Sequence, residues 1–174
     1  YCYVVENKWG QKGSRQMVKG YVGKAYRFEL KEDIDFCKFL GLESLENYIG
    51  SNDKNKIIKD LVEWELFKFK ISKEEFLIDL SDINEVKVQN RVKEDKGSKN
   101  GKKNKNVAIF INDGFMCGLT LKNLLMFKFG AGVQSDEMEN EENTKESYAL
   151  ARCFVEAGIK VPQEVFVGLF QKKG

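Results

Sequence analysis

Histidine is missing from the 174-residue sequence, and with it the side chain most used for proton transfer near neutral pH. That removes Ser-His and Cys-His nucleophile pairs and the commonest metal ligand. A carboxylate site with a divalent ion, or a perturbed lysine, remains open as chemistry. Proline occurs once, at Pro162, so no proline-rich linker divides the chain. No run of ~18 apolar residues is present, and no transmembrane helix is expected. The first ten residues carry Glu6, Asn7 and Lys8 in place of a signal peptide's apolar core. Tyrosine is not a natural start, so residues ahead of Tyr1 are expected. Arginine is scarce: only Arg15, Arg27, Arg91 and Arg152 stand among 29 basic residues. Lysine is a point charge suited to phosphates, whereas arginine is the better reader of guanine edges. Any nucleic-acid contact is therefore expected to grip backbone more than it reads sequence.

The four cysteines, Cys2, Cys37, Cys117 and Cys153, lie far apart among apolar neighbours, and no pair has metal-ligand spacing. They read as small buried hydrophobes in a reducing, cytoplasmic setting, and no metal or cofactor is expected. Gly-rich phosphate loops of P-loop or Rossmann spacing are also missing, which argues against nucleotide enzymes.

What remains is enough to fold. At 42% hydrophobic, the chain can bury a core without disulfide or metal staples, and 32% charged residues fall short of a disordered profile. The expected class is α+β, either a basic β-hairpin module over 1–30 with an α+β domain over 31–174, or one continuous domain. In the first segment Tyr1, Tyr3 and Val5 alternate with Cys2 and Val4. Gln16 to Val22 is extended again, with Gly10 and Gly13 at the turn. A further strand is expected through Tyr26, Phe28 and Leu30.

Residues 31–69 have helical spacing. One helix ends at Gly41, a short one runs to Gly50, and a longer one, capped by Ser51 or Asn52, carries Ile58, Leu61, Val62 and Leu66. Phe76 to Val92 and Val107 to Ile111 are expected to pair as a long hairpin around a Lys/Gly/Asn-rich loop. Asn112-Asp113-Gly114 makes the next turn, and Thr120 is expected to cap the following helix. Gln134 to Asn143 reads as an acidic loop, with Asn143 and Glu146 as the capping box of a helix that stops at Gly158. Pro162 suits the first position of a last helix.

Two basic segments carry the functional signal. The hairpin has Lys8, Lys12, Arg15, Lys19, Lys24 and Arg27 against Glu6 alone, interleaved with Tyr1, Tyr3, Trp9, Tyr21, Tyr26 and Phe28. That mixture suits phosphate attraction with base stacking. Its plain structural reading is a half-buried hairpin with aromatics to the core and lysines to water. The 93–105 loop places Lys99, Lys102 and Lys103 among six lysines, flexible enough to follow a phosphate backbone. Such a charge run is also simply a solvated loop. The C-terminal helix–Gly–helix is not expected to read DNA, because Val165, Phe166, Val167, Leu169 and Phe170 fill its second helix. It reads instead as core or interface packing.

The run Tyr1-Cys-Tyr-Val-Val-Glu-Asn, then Gly10 to Arg15, then Val18-Lys-Gly-Tyr-Val-Gly-Lys24, resembles the opening segment of archaeal and bacterial DDE-type insertion-sequence transposases. Phe76 to Ile83 and Val107 to Phe115 more loosely resemble the first strands of that family's RNase H-like core. The resemblance implies a metal-binding Asp at Asp79 or Asp82, but too few residues follow for the complete core. Three functions are carried forward. The first is a non-catalytic protein bound to DNA or RNA phosphates through the hairpin and the loop. The second is an interaction subunit meeting a protein partner, or a second copy of itself, through its C-terminal helices. The third is a degenerate metal-dependent nuclease.

Overall fold

The alternation at the start of the chain becomes a two-stranded ribbon in the computed structural model, which describes residues 1–10, 13–91, 104–128 and 136–172, with the backbone alone over 136–143. Strand β1 (Cys2–Gly10) runs antiparallel to β2 (Gly13–Arg27), the register closing on Gly10 opposite Gly13. β2 does not stop with the hairpin. Beyond Gly23 it pairs in parallel with β5 (Lys105–Ile111), from Lys24 opposite Val107 to Arg27 opposite Phe110. The strand expected through Tyr26, Phe28 and Leu30 is thus the continuation of β2 and ends at Arg27, short of Phe28 and Leu30. Gly23 marks the crossing, because a Cβ there would lie 2.1 Å from the Asn106 carbonyl oxygen. No other residue fits that approach.

The middle of the chain forms three helices. In α1 (Phe36–Leu40) the Asp35 carboxylate accepts the first free N–H groups, and Gly41 closes the helix in the left-handed region. Helix α2 (Leu45–Ser51), capped by Ser44, continues through Gly50 to Ser51. That pushes the next cap to Asp53, beyond the expected Ser51 or Asn52, and its carboxylate accepts from the Lys56 N–H at 2.8 Å. Helix α3 (Lys54–Lys68) supplies the centre of the core, where Ile57, Ile58 and Leu61 are fully buried. Each such side chain contributes about 1.5–3 kcal/mol by burial.

The strand pairing departs from expectation. Residues 76–92 divide into β3 (Phe76–Asp79) and β4 (Lys87–Asn90), which pair with each other across a 3-10 turn at Ile83–Glu85. β5 meets β4 only at Gln89–Asn106 and Asn90–Lys105, so the expected long hairpin is reduced to its end. β6 (Gly114–Met116) folds back on β5 through Asn112 and Asp113, both at positive φ, the geometry of a two-residue type I′ turn. Among the described residues one sheet results, ordered β1-β2-β5-β4-β3 with β6 also on β5.

Helix α4 (Gly118–Met126) starts at Cys117, and Thr120 sits inside its first turn, accepting the Cys117 N–H at 3.1 Å. Helix α5 (Asp136–Glu156) begins inside the segment expected to be a loop, so Asn143 and Glu146 lie within the helix rather than at its start. The reason is local. Residues 136–156 hold no glycine or proline, and acidic residues are favoured in a helix's first turn. Gly158, at φ 71, ends the helix where expected. Pro162 is the cap of α6 (Gln163–Gln171) rather than its first residue. Val165 and Leu169 are buried, and Gly168 presses against Ile49 of α2. No helix among the described residues is long and apolar enough to cross a membrane.

Candidate nucleic-acid interface

Strand alternation sorts the N-terminal ribbon into two faces. Side chains directly opposite in an antiparallel pair share a face, and successive residues alternate. Tyr3 lies opposite Tyr21, Val5 opposite Val18 and Trp9 opposite Ser14 on one face. Lys8 opposite Arg15 and Glu6 opposite Met17 lie on the other. Val5 and Val4 pair with Val18 and Gly20, which leaves Lys19 as an extra residue in β2. Tyr3 and Cys2 pair with Tyr21 and Gly23, which leaves Val22 as a second. Such bulges bend and twist a ribbon. The aromatics and cations that interleave in sequence are therefore separated in space.

Both faces are open over the outer half. From Val5 to Gly10 and from Gly13 to Lys19 every residue is exposed, an arm about 20 Å long at ~3.3 Å per residue. Trp9 is 85% exposed, Tyr21 59% and Tyr3 51%, so these aromatics are not the core face of a half-buried hairpin. Only Tyr26 and Phe28 pack inward, edge-on to Phe76 at 5.1 and 5.7 Å. Nearer the base, Cys2 and Val4 are half-buried and anchor the arm.

The six basic residues of this segment do not act as one patch. Lys8 and Arg15 face each other across the strands, exposed and, among the described residues, in no ion pair. Lys19 is neutralised by Glu6 at 2.8 Å. Lys24 holds its ammonium 4.7 Å from the Tyr26 ring centroid, and Arg27 stacks 4.4 Å over Phe110. Three positions apart on a strand, Lys24 and Arg27 lie on opposite faces of the sheet. Lys12, Lys99, Lys102 and Lys103 lie outside the described residues.

At the arm's base, where β2 leaves β1 for β5, a recess of about 550 Å³ opens between Tyr1, Tyr21, Tyr26, Lys24, Lys105 and Asn90. Tyr21 is the hub of a tyrosine cluster, its ring centroid 5.3 Å from that of Tyr3 and 6.1 Å from that of Tyr1. Partial desolvation there, with Tyr1 and Tyr3 alongside, raises the Tyr21 hydroxyl pKa above its ordinary value. Sequence reasoning counted Lys105 with the basic loop and gave Asn90 no role. They meet the tyrosines only because β5 pairs with β4 at one edge and β2 at the other, which no local pattern announces.

Asp79 and Asp82 serve turns. The Asp79 carboxylate accepts from the Ser81 hydroxyl at 2.6 Å and the Ser81 N–H at 3.0 Å, and these bonds hold its pKa below the usual value. Asp82 accepts from the Asn84 N–H at 2.8 Å and caps the 3-10 turn. Among the described residues no group of three or more Cys, Asp or Glu could hold a metal ion. None of the four cysteines is in a disulfide, and burial pushes the thiols of Cys2, Cys37 and Cys153 up in pKa. None of the three is thereby activated as a nucleophile. Set against protein-family models, curated proteins and solved structures, the chain matches none.

Proposed function

We propose that this chain is a non-catalytic nucleic-acid-binding protein that grips the phosphate backbone with its N-terminal arm. The observation that carries the reading is Lys8 directly opposite Arg15, near the end of an exposed ribbon and with no acidic partner among the described residues. Like charges directly opposite each other destabilise a strand pair. A phosphate seated between them turns that repulsion into two charge-assisted hydrogen bonds. The likeness of residues 1–24 to transposase opening segments supports a DNA or RNA partner and implies no activity here. A nuclease reading has less support, because Asp79 and Asp82 already spend carboxylate oxygens on their own turns.

The test is fluorescence anisotropy of labelled nucleic acid. The chain is expected to bind at about 50 mM salt and to release steeply as salt rises. Lys8→Gln/Arg15→Gln should weaken that binding, with unchanged circular dichroism. Absence of binding at about 50 mM salt would remove nucleic acid from the account.

A protein partner at the C-terminal helices is the second reading. It rests on an open groove of about 950 Å³ between α2 and α6, with Val167 exposed on its wall. The main apolar residues of α6, Val165 and Leu169, are already buried within the chain, so less surface is left for that role. A concentration-dependent dimer lost in Val167→Lys would favour it.

A further inference from the structure

We propose that the recess at the base of the arm takes one unpaired nucleotide of a single strand, its base on Tyr21 and its phosphate between Lys24 and Lys105. This rests on the phosphate-grip reading above and adds a substrate class to it. Three features converge. The first is aromatic surface: Tyr1 and Tyr21 present rings to a space otherwise bounded by the half-buried Tyr26. Every base has a π-face, so stacking there tolerates any sequence. The second is charge. Among the described residues, Lys24 and Lys105 stand at the recess in no ion pair, and no carboxylate lines it. That combination repels a cationic ligand, which an aromatic cage would otherwise suit, and selects an anion bearing an aromatic ring. The third is a polar edge. The Asn90 side-chain oxygen accepts the Lys105 N–H at 3.2 Å, leaving its amide hydrogens for a base edge or sugar.

Size and rigidity agree with this occupant. A volume of about 550 Å³ lies within the usual ~300–1,000 Å³ range of small-ligand sites. The rim is fixed by the close passage of Gly23 over Asn106, which holds β2 against β5. A base inside a duplex is stacked and paired, so it cannot enter without being flipped out. The recess therefore favours single strands, while the Lys8–Arg15 pair, touching only phosphates, does not discriminate.

The experiment titrates the chain into one labelled oligonucleotide, single-stranded or annealed to its complement, at fixed salt. Single strand is expected to bind more tightly than duplex. Tyr21→Ala should weaken single-strand binding about tenfold and leave duplex binding nearly unchanged, while Tyr21→Phe keeps the preference. Lys24→Gln/Lys105→Gln, which removes charge and no ring, should also weaken single-strand binding more than duplex, and guards against a Tyr21→Ala variant that loosens the ribbon. Lys8→Gln/Arg15→Gln should weaken both substrates alike. Equal binding of the two forms, unaltered by Tyr21→Ala but still sensitive to Lys8→Gln/Arg15→Gln, would overturn the recess and leave the arm standing. No binding of either form would overturn both. Displacement of the strand by adenosine monophosphate at equal nucleotide concentration would overturn a strand as the occupant.

Discussion

Glu65 is fully buried, yet each of its oxygens is used: it accepts from Asn112 Nδ2 at 2.9 Å, the Lys160 N–H at 2.9 Å and Lys68 Nζ at 3.2 Å. Through Asn112 and Lys160, Glu65 joins α3 to the β5–β6 turn and to the α5–α6 connection, and the Lys68 ammonium lies 3.8 Å from the Trp64 ring centroid. Glu65→Ala would strand Lys68 as a buried charge, and a loss of about 3–5 kcal/mol is expected in denaturant unfolding. Glu6→Gln, which breaks the exposed pair with Lys19, should change stability by less than about 1 kcal/mol. Tyr48 gives a residue-scale test in pH. Its hydroxyl donates to Asp60 at 2.6 Å, and burial together with that bond raises its pKa well above the ordinary value. The folded chain keeps this proton longer than the unfolded chain. The contribution is therefore complete below pH ~10 and is lost as pH rises beyond it. Tyr48→Phe should lower stability at neutral pH by about 1 kcal/mol and flatten the decline above pH 10 in unfolding curves.

At the scale of elements, what was legible in the sequence is what local chemistry decides. Gly41 and Gly158 end helices, Asn112-Asp113 turns a hairpin, and period-two alternation marks the ribbon, all within a few residues of the deciding side chains. Strand partnership was not legible. β2 and β5 are about 80 residues apart, and no nearby turn brings Lys24–Arg27 beside Val107–Phe110. The acidic run at 136–143 is helical against the expected loop, because polarity suggests a loop whereas helix formers without glycine or proline carry α5 straight through it. Of the interface, the facing of Lys8 and Arg15 follows from the antiparallel register that sets Gly10 opposite Gly13. The neutralisation of Lys19 and the recess depend on bulges and sheet order, which sequence does not reveal. Close approach between elements yields a paired test. At Gly158, φ is 71 and a Cβ would lie 2.6 Å from the Ile111 carbonyl oxygen, whereas at Gly50 in α2 it would meet nothing within 4 Å. Gly158→Ala should cost at least about 1 kcal/mol, and Gly50→Ala should stabilise by up to about 1 kcal/mol, both read from thermal unfolding.

Across the whole molecule, β2 is the member that joins scaffold to site. One half lies in the sheet with Gly23 locked over Asn106, and the other half leaves the sheet as the arm, so a load at Lys8 and Arg15 is carried directly into the core. The two basic faces, at the arm's end and at its base, are about 20 Å apart at ~3.3 Å per residue, a span of a few nucleotides of extended strand. The measurement that tests this account most directly is the dependence of binding on salt, taken for the intact chain and for Lys8→Gln/Arg15→Gln. If these two side chains hold phosphates, the slope of log K against log salt becomes shallower by ~1.4 on single strands or ~1.8 on duplex. An unchanged slope, with binding intact in the variant, would contradict the arm as the grip.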